Sequence, residues 1–119
     1  MSNELQSETT YRRYRDVLVI GLPPEVDHHS SQGMKETAGT YIKNGHVRYV
    51  IFDFKNTSFM DSAGIGMLLG QYKLMNAVHG SVAVCSVDRR INRILDMSGI
   101  YQIARRYESI EEALSGREN

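Results

Sequence analysis

Two periods of hydrophobic positions alternate along this chain. Asp16-Val17-Leu18-Val19-Ile20-Gly21 is a continuous apolar run, the pattern of a strand covered on both faces, and Pro23-Pro24 ends it. Asp27 is a suitable N-cap, and Met34, Ala38, Tyr41 and Ile42 follow at helical spacing until Asn44-Gly45 closes the helix. Val47 to Phe54 returns to the strand pattern. A second helix begins near Asp61 and runs to about Ala77, with Ile65, Leu68, Leu69, Tyr72 and Met75 or Asn76 on one face and Gly80 beyond its end. Val82 to Cys85 reads as a strand, and Asp88 caps a helix carrying Ile91, Ile94 and Leu95 that Gly99 stops. A short strand near Ile103 and a last helix opened by the capping box Ser109-x-x-Glu112 complete the order. Thr9 to Arg15 is expected to form a first edge strand.

Strands alternating with helices predict an α/β fold with a twisted, mostly parallel sheet. Right-handed crossovers place the carboxyl ends of the parallel strands on one edge. The segments leaving those ends carry Asp27, Asp61-Ser62 and Asp88, so three helix N-termini are expected to gather there.

Composition narrows the function classes. The 119 residues are expected to form one domain, 1–119, with Met1 to about Glu8 polar and frayed. A chain of this length buries roughly two-thirds of its unfolded surface, enough to fold without a metal or a disulfide. Lys plus Arg is 14 and Asp plus Glu is 14, which points away from nucleic acid and anionic membranes as partners. The single cysteine, Cys85, lies in the apolar run and reads as core. With no signal peptide and no long apolar run, a cytoplasmic protein is expected, and its size and charge balance suit a monomer.

The candidate chemistry sits at Thr57-Ser58-Phe59-Met60-Asp61-Ser62-Ala63-Gly64-Ile65-Gly66. A hydroxyl and a carboxylate stand together at a helix start, where backbone N–H groups and the positive end of the dipole converge. Asp61 or Ser62 serves as N-cap, with Met60 and Ile65 as a hydrophobic staple. Phe59 and Met60 are core if the loop covers them and interface anchors if exposed. Gly64-x-Gly66-x-x-x-Gly70 lacks the spacing of a dinucleotide fingerprint and has no Walker lysine, so Gly66 and Gly70 are expected to let the helix approach the sheet closely. Ser62 as a catalytic nucleophile needs a base. His79 lies at the far end of the same helix, roughly 25 Å off, whereas His28 and His29 are expected on the same edge. The Gly-x-Ser-x-Gly elbow is absent, so a hydrolase is not expected. Adjacent His28 and His29 point about 100° apart on a helix and make a poor metal pair. No cofactor and no metal are expected. Arg89, Arg90 and Arg93 read as the solvated face of a helix.

These residues resemble the STAS domain, in particular the sporulation branch of the anti-sigma-factor antagonists. Glu25-Val26-Asp27-His28-His29, Ser58-Phe59-Met60-Asp61-Ser62-x-Gly64-Ile65-Gly66-x-x-Leu69-Gly70-x-Tyr72-Lys73, Val84-Cys85 and Ile94-Leu95-Asp96-Met97-Ser98-Gly99-Ile100 carry the likeness. It spans about Val17 to Leu114. It implies a STAS-like mixed sheet of about five strands with four helices. It further implies that the unmodified protein binds an anti-sigma factor that is also a serine kinase and so releases the sigma factor. The kinase then phosphorylates the serine matched by Ser62, and a serine phosphatase restores the active form. The family's second serine at this point is Ala63 here, which leaves Ser62 as acceptor, and Pro24 stands where the family tends to have glycine. On the resemblance, Asp27, Phe59, Met60, Asp61, Gly64 and Gly66 meet the partner. The competing expectation is a constitutive STAS scaffold or sensor module without a phospho-switch. A transporter tail is not expected, because no segment is appended.

Overall fold

A computed structural model describes residues 8–116. The expectation of fraying at Met1–Glu8 therefore falls, Glu8 apart, outside the described residues. The elements are β1 (Thr10–Tyr14), β2 (Val17–Gly21), β3 (Glu25–Val26), α1 (His28–Gly45), β4 (Tyr49–Asp53), β5 (Phe59–Met60), α2 (Ser62–Ala77), β6 (Ser81–Cys85), α3 (Arg89–Ser98), a short 3₁₀ turn (Ile100–Gln102), β7 (Ala104–Tyr107) and α4 (Ile110–Gly116). Five strands form one sheet in the order β1-β2-β4-β6-β7. β1 runs antiparallel to β2, and the other three pairs are parallel. The mostly parallel α/β sheet with four helices agrees with the sequence pattern.

The apolar runs are covered on both faces because alternate side chains enter different cores. Leu18, Ile20, Val50, Phe52, Val82 and Val84 face α1, α2 and α3 and pack with Met34, Met67, Leu68, Ile91 and Leu95. Val17, Val19, Tyr49, Ile51, Ala83 and Cys85 face the other way, where α4 supplies Ala113. Tyr49 donates its hydroxyl to the Ala113 carbonyl at 2.8 Å, which fastens α4 to the sheet. Cys85 is buried, as the apolar run implies, and burial pushes its thiol up to about 12.

The short strand expected near Ile103 is present, at Ala104–Tyr107, directly after the 3₁₀ turn. Several other local expectations are corrected. Helix α1 runs through Gly45, and the left-handed residue that ends it is His46, at φ 59°. Gly45 instead lies against the Arg13 guanidinium, which donates to its carbonyl. Gly99 does stop α3, at φ 83°. Only half of the expected capping box at α4 forms: the Glu112 N–H donates to Ser109 Oγ at 3.1 Å. The face of α2 is also rotated from the expected one. Gly64, Met67, Leu68, Gln71 and Met75 are buried, Leu69 and Asn76 are exposed, and Ile65 and Tyr72 are half-buried.

A non-glycine residue in the left-handed region costs roughly 1–2 kcal/mol. Replacing His46 by Gly relieves that cost, less glycine's larger loss of backbone freedom. We expect a net gain of about 0.5–1 kcal/mol, read as a higher urea midpoint with an unchanged m-value.

Candidate functional site

The carboxyl ends of the central strands are level, with Gly21, Asp53 and Cys85 in register across β2, β4 and β6. Chain leaving this edge enters α1, α2 and α3, so the three N-termini do gather there. Each is capped by its expected aspartate. Asp27 Oδ1 accepts from the Ser30 N–H at 3.0 Å, and Ser30 Oγ accepts from the Asp27 N–H at 3.0 Å, a reciprocal capping box. The Ser30 N–H holds the Asp27 carboxyl below the usual carboxylate range. Asp88 Oδ1 accepts from the Ile91 N–H at 2.8 Å.

The caps of α1 and α2 are tied together by an element that sequence periodicity does not register. β3 and β5 form a separate parallel ladder, Glu25 opposite Phe59 and Val26 opposite Met60. The Ser58 and Phe59 N–H groups donate to the Pro24 carbonyl at 2.9 and 3.1 Å, and the Asp61 N–H donates to the Val26 carbonyl at 3.3 Å. Buried Thr57 donates its hydroxyl to the Pro23 carbonyl at 2.9 Å. Proline has no N–H to give, but Pro23 and Pro24 contribute only carbonyls here, so their place in the ladder is compatible with their chemistry.

Asp61, not Ser62, is the N-cap of α2. Its Oδ1 accepts from the Ala63 and Gly64 N–H groups at 2.9 and 3.2 Å. Ser62 is then the first helical residue. It is exposed, and its hydroxyl makes no hydrogen bond among the described residues, to His28, His29 or any other group. The pleat of β5 separates its two side chains: Phe59 is 49% exposed and Met60 only 4%. Met60 is therefore core beneath the loop and not available as a surface anchor. The glycines also exchange roles. A Cβ on Gly64 would stand 2.7 Å from the Val26 carbonyl oxygen and 2.9 Å from Val26 Cγ1, whereas one on Gly66 or Gly70 would meet nothing within 4 Å. Gly64, buried, is thus the glycine that permits close approach, and it admits the ladder rather than a partner. Gly66 is exposed beside Ser62. The site as built presents Ser62, Phe59, Gly66 and the half-buried caps Asp27 and Asp61.

A family model described as the STAS domain matches residues 8–113. The chain belongs to the STAS-domain family. Among its relatives, an anti-sigma F factor antagonist of Paenibacillus polymyxa is 38% identical over 102 residues, covering 86% of this chain and 87% of the relative. Two solved structures share the STAS fold seen here. The anti-sigma factor antagonist SpoIIAA in its unphosphorylated form has a TM-score of 0.75 at 26% identity, over 92% of this chain and 96% of that one. The Bacillus cell fate determinant SpoIIAA in its phosphorylated form has a TM-score of 0.74 at 29% identity, over 90% and 96%. No helix among the described residues is long and apolar enough to cross a membrane.

Sequence reasoning missed Thr57, Pro23, Pro24 and Val26 as the residues that join the two capped loops. One signal was available. Pro23-Pro24 leaves two carbonyls without neighbouring N–H groups on a segment that ends an apolar run, and buried carbonyls require donors from elsewhere.

Proposed function

We propose that this STAS protein is an anti-sigma-factor antagonist. Its unphosphorylated form binds an anti-sigma factor that is also a serine kinase, and the sigma factor is released. Phosphorylation of Ser62 by that kinase ends binding, and a serine phosphatase restores it. The observation that carries this reading is the placement of Ser62: an exposed, unbonded hydroxyl at the first position of α2, next to a segment that the β3–β5 ladder and the Asp61 cap hold in place. A kinase needs a hydroxyl it can reach, and a switch needs the new charge to fall inside the docking surface. The P. polymyxa relative and the two forms of SpoIIAA support the assignment.

On this reading Asp27 and Phe59 belong to the docking surface, and Gly66 leaves the backbone beside Ser62 open to the kinase. Asp61 keeps the acceptor loop in shape. Because its carboxylate already occupies the Ala63 and Gly64 N–H groups, a phosphate on Ser62 finds those donors taken and faces outward. Phosphorylation adds about −1.5 to −2 charges at pH 7. The effect is local and needs no rearrangement of the fold.

Intact-mass analysis after incubation with ATP and the candidate anti-sigma kinase of the same genome tests the assignment. The parent is expected to gain one phosphate, about 80 Da, and Ser62→Ala none. If neither protein gains mass while the kinase turns over ATP, the constitutive scaffold becomes the better reading.

A further inference from the structure

The arginines of α3 break a local rule. Arg89 and Arg90 are the first two residues of the helix, where the dipole disfavours cations, and the first turn has no acidic residue. The cap, Asp88, is committed to the Ile91 N–H. Arg89, Arg90 and Arg93 are exposed and make no hydrogen bond or ion pair among the described residues. At 100° per residue, Arg89, Arg93, Met97 and Arg90 fall within an arc about 100° wide. The arc lies opposite buried Ile91 and Leu95. Met97, toward one side of the arc and near the C-terminal end of the helix, is 82% exposed. Exposed Asp96 borders the arc, yet Arg89 and Arg90 stand against the dipole with no ion pair among the described residues, which marks a surface kept for something other than stability.

We infer that this face of α3 is a second docking patch, and that its occupant is an acidic surface of the anti-sigma partner with an apolar recess for Met97. The inference rests on the function proposed above. Two observations favour this occupant. Arg89 and Arg90 open α3, and the N-terminus of α3 lies on the same carboxyl edge as that of α2, so the basic end of the helix continues the edge that carries Ser62. Charge complementarity supplies the sign: three unpaired guanidinium groups suit carboxylates, which they can grip with two parallel hydrogen bonds. A nucleic acid would meet the three aspartate caps on the same edge, and a large exposed apolar side chain beside the arginines suits a protein recess better than a phosphate backbone.

The test is the association rate with the candidate kinase, measured by rapid mixing from about 25 mM to about 300 mM salt, a range over which screening of exposed charges changes strongly. For the parent the rate is expected to fall about tenfold or more across that range. In R89E/R90E/R93E it should be about tenfold lower at low salt and nearly flat with salt. The variant should melt no lower than the parent, because glutamates at the first two positions suit the dipole. Association at the parental rate at low salt overturns the proposal. Binding of a labelled 20-base-pair duplex by the parent that the triple variant loses, with kinase association untouched, also overturns it and assigns the face to nucleic acid. If the parent neither binds the kinase nor gains a phosphate on Ser62, the antagonist reading itself has failed, and this proposal fails with it.

Discussion

A phosphate on Ser62 should weaken binding to the anti-sigma kinase by at least about a hundredfold. A dianion about 5 Å from a partner carboxylate, at an effective dielectric of ~20–40, costs roughly 3–6 kcal/mol. Each 1.4 kcal/mol is about tenfold in affinity. The exposed position of Ser62 puts that charge at the contact, and the phosphate's bulk works in the same direction. Ser62→Asp carries one charge on a shorter side chain, so it should fall between the parent and the phosphoprotein. Ser62→Ala should bind within a few-fold of the parent and accept no phosphate. All three forms should melt near the parent, because an acidic group in the first turn of a helix is tolerated or mildly favourable. Calorimetric titration with the kinase, beside thermal melts, measures both quantities. Phosphoprotein and Ser62→Asp binding as tightly as the parent would show that charge at this position is not the switch.

The second large effect separates two glycines only two residues apart on α2. Gly64→Ala forces a Cβ to 2.7 Å from a backbone oxygen of β3 and 2.9 Å from Val26 Cγ1. A backbone atom in a ladder yields little, so the substitution should cost about 1–3 kcal/mol. Gly66→Ala meets nothing within 4 Å on an exposed helical position. It should stabilise by about 0.5–1 kcal/mol through the helix preference of alanine. Urea unfolding of the two variants should therefore move in opposite directions from the parent. If Gly64→Ala is neutral, β3 is free to retreat from α2, and the joint between the two capped loops is softer than its hydrogen bonds suggest.

The contrast shows which features were legible in the sequence. Strand and helix order was, because burial on two faces leaves unbroken apolar runs at β2, β4 and β6 and helical spacing elsewhere. Asp27, Asp61 and Asp88 were legible as caps because an aspartate before an amphipathic run has few other uses. The β3–β5 ladder was not. Each strand is only two residues long, so it has no period to detect, and its pairing is a matter of backbone atoms contributed by distant segments. Two misreadings follow from that one omission. Without the ladder there is no way to know that Met60 points inward and Phe59 outward. Nor can one know that Gly64, rather than Gly66, stands at the close approach. The face of α2 was misplaced for a related reason: Ile65, Met67, Leu68, Leu69, Leu74 and Met75 surround the helix with apolar residues, and composition alone leaves its rotation open. His46 took the left-handed position because helix length was set by packing, not by the glycine one residue earlier.

The order in which the backbone pairings become possible also bears on the site. β1 and β2 are neighbours in sequence and form a hairpin that can close within microseconds. Every other pairing in the main sheet must wait for a helical crossover to be laid down between its strands. The β3–β5 ladder waits as well, since all of α1 and β4 lie between its two strands. The segment that holds Ser62 therefore takes its shape only when the α1 crossover is in place. A partially folded chain would present the same serine without the geometry around it, and a partner that reads that geometry would be engaged only by molecules that have finished folding.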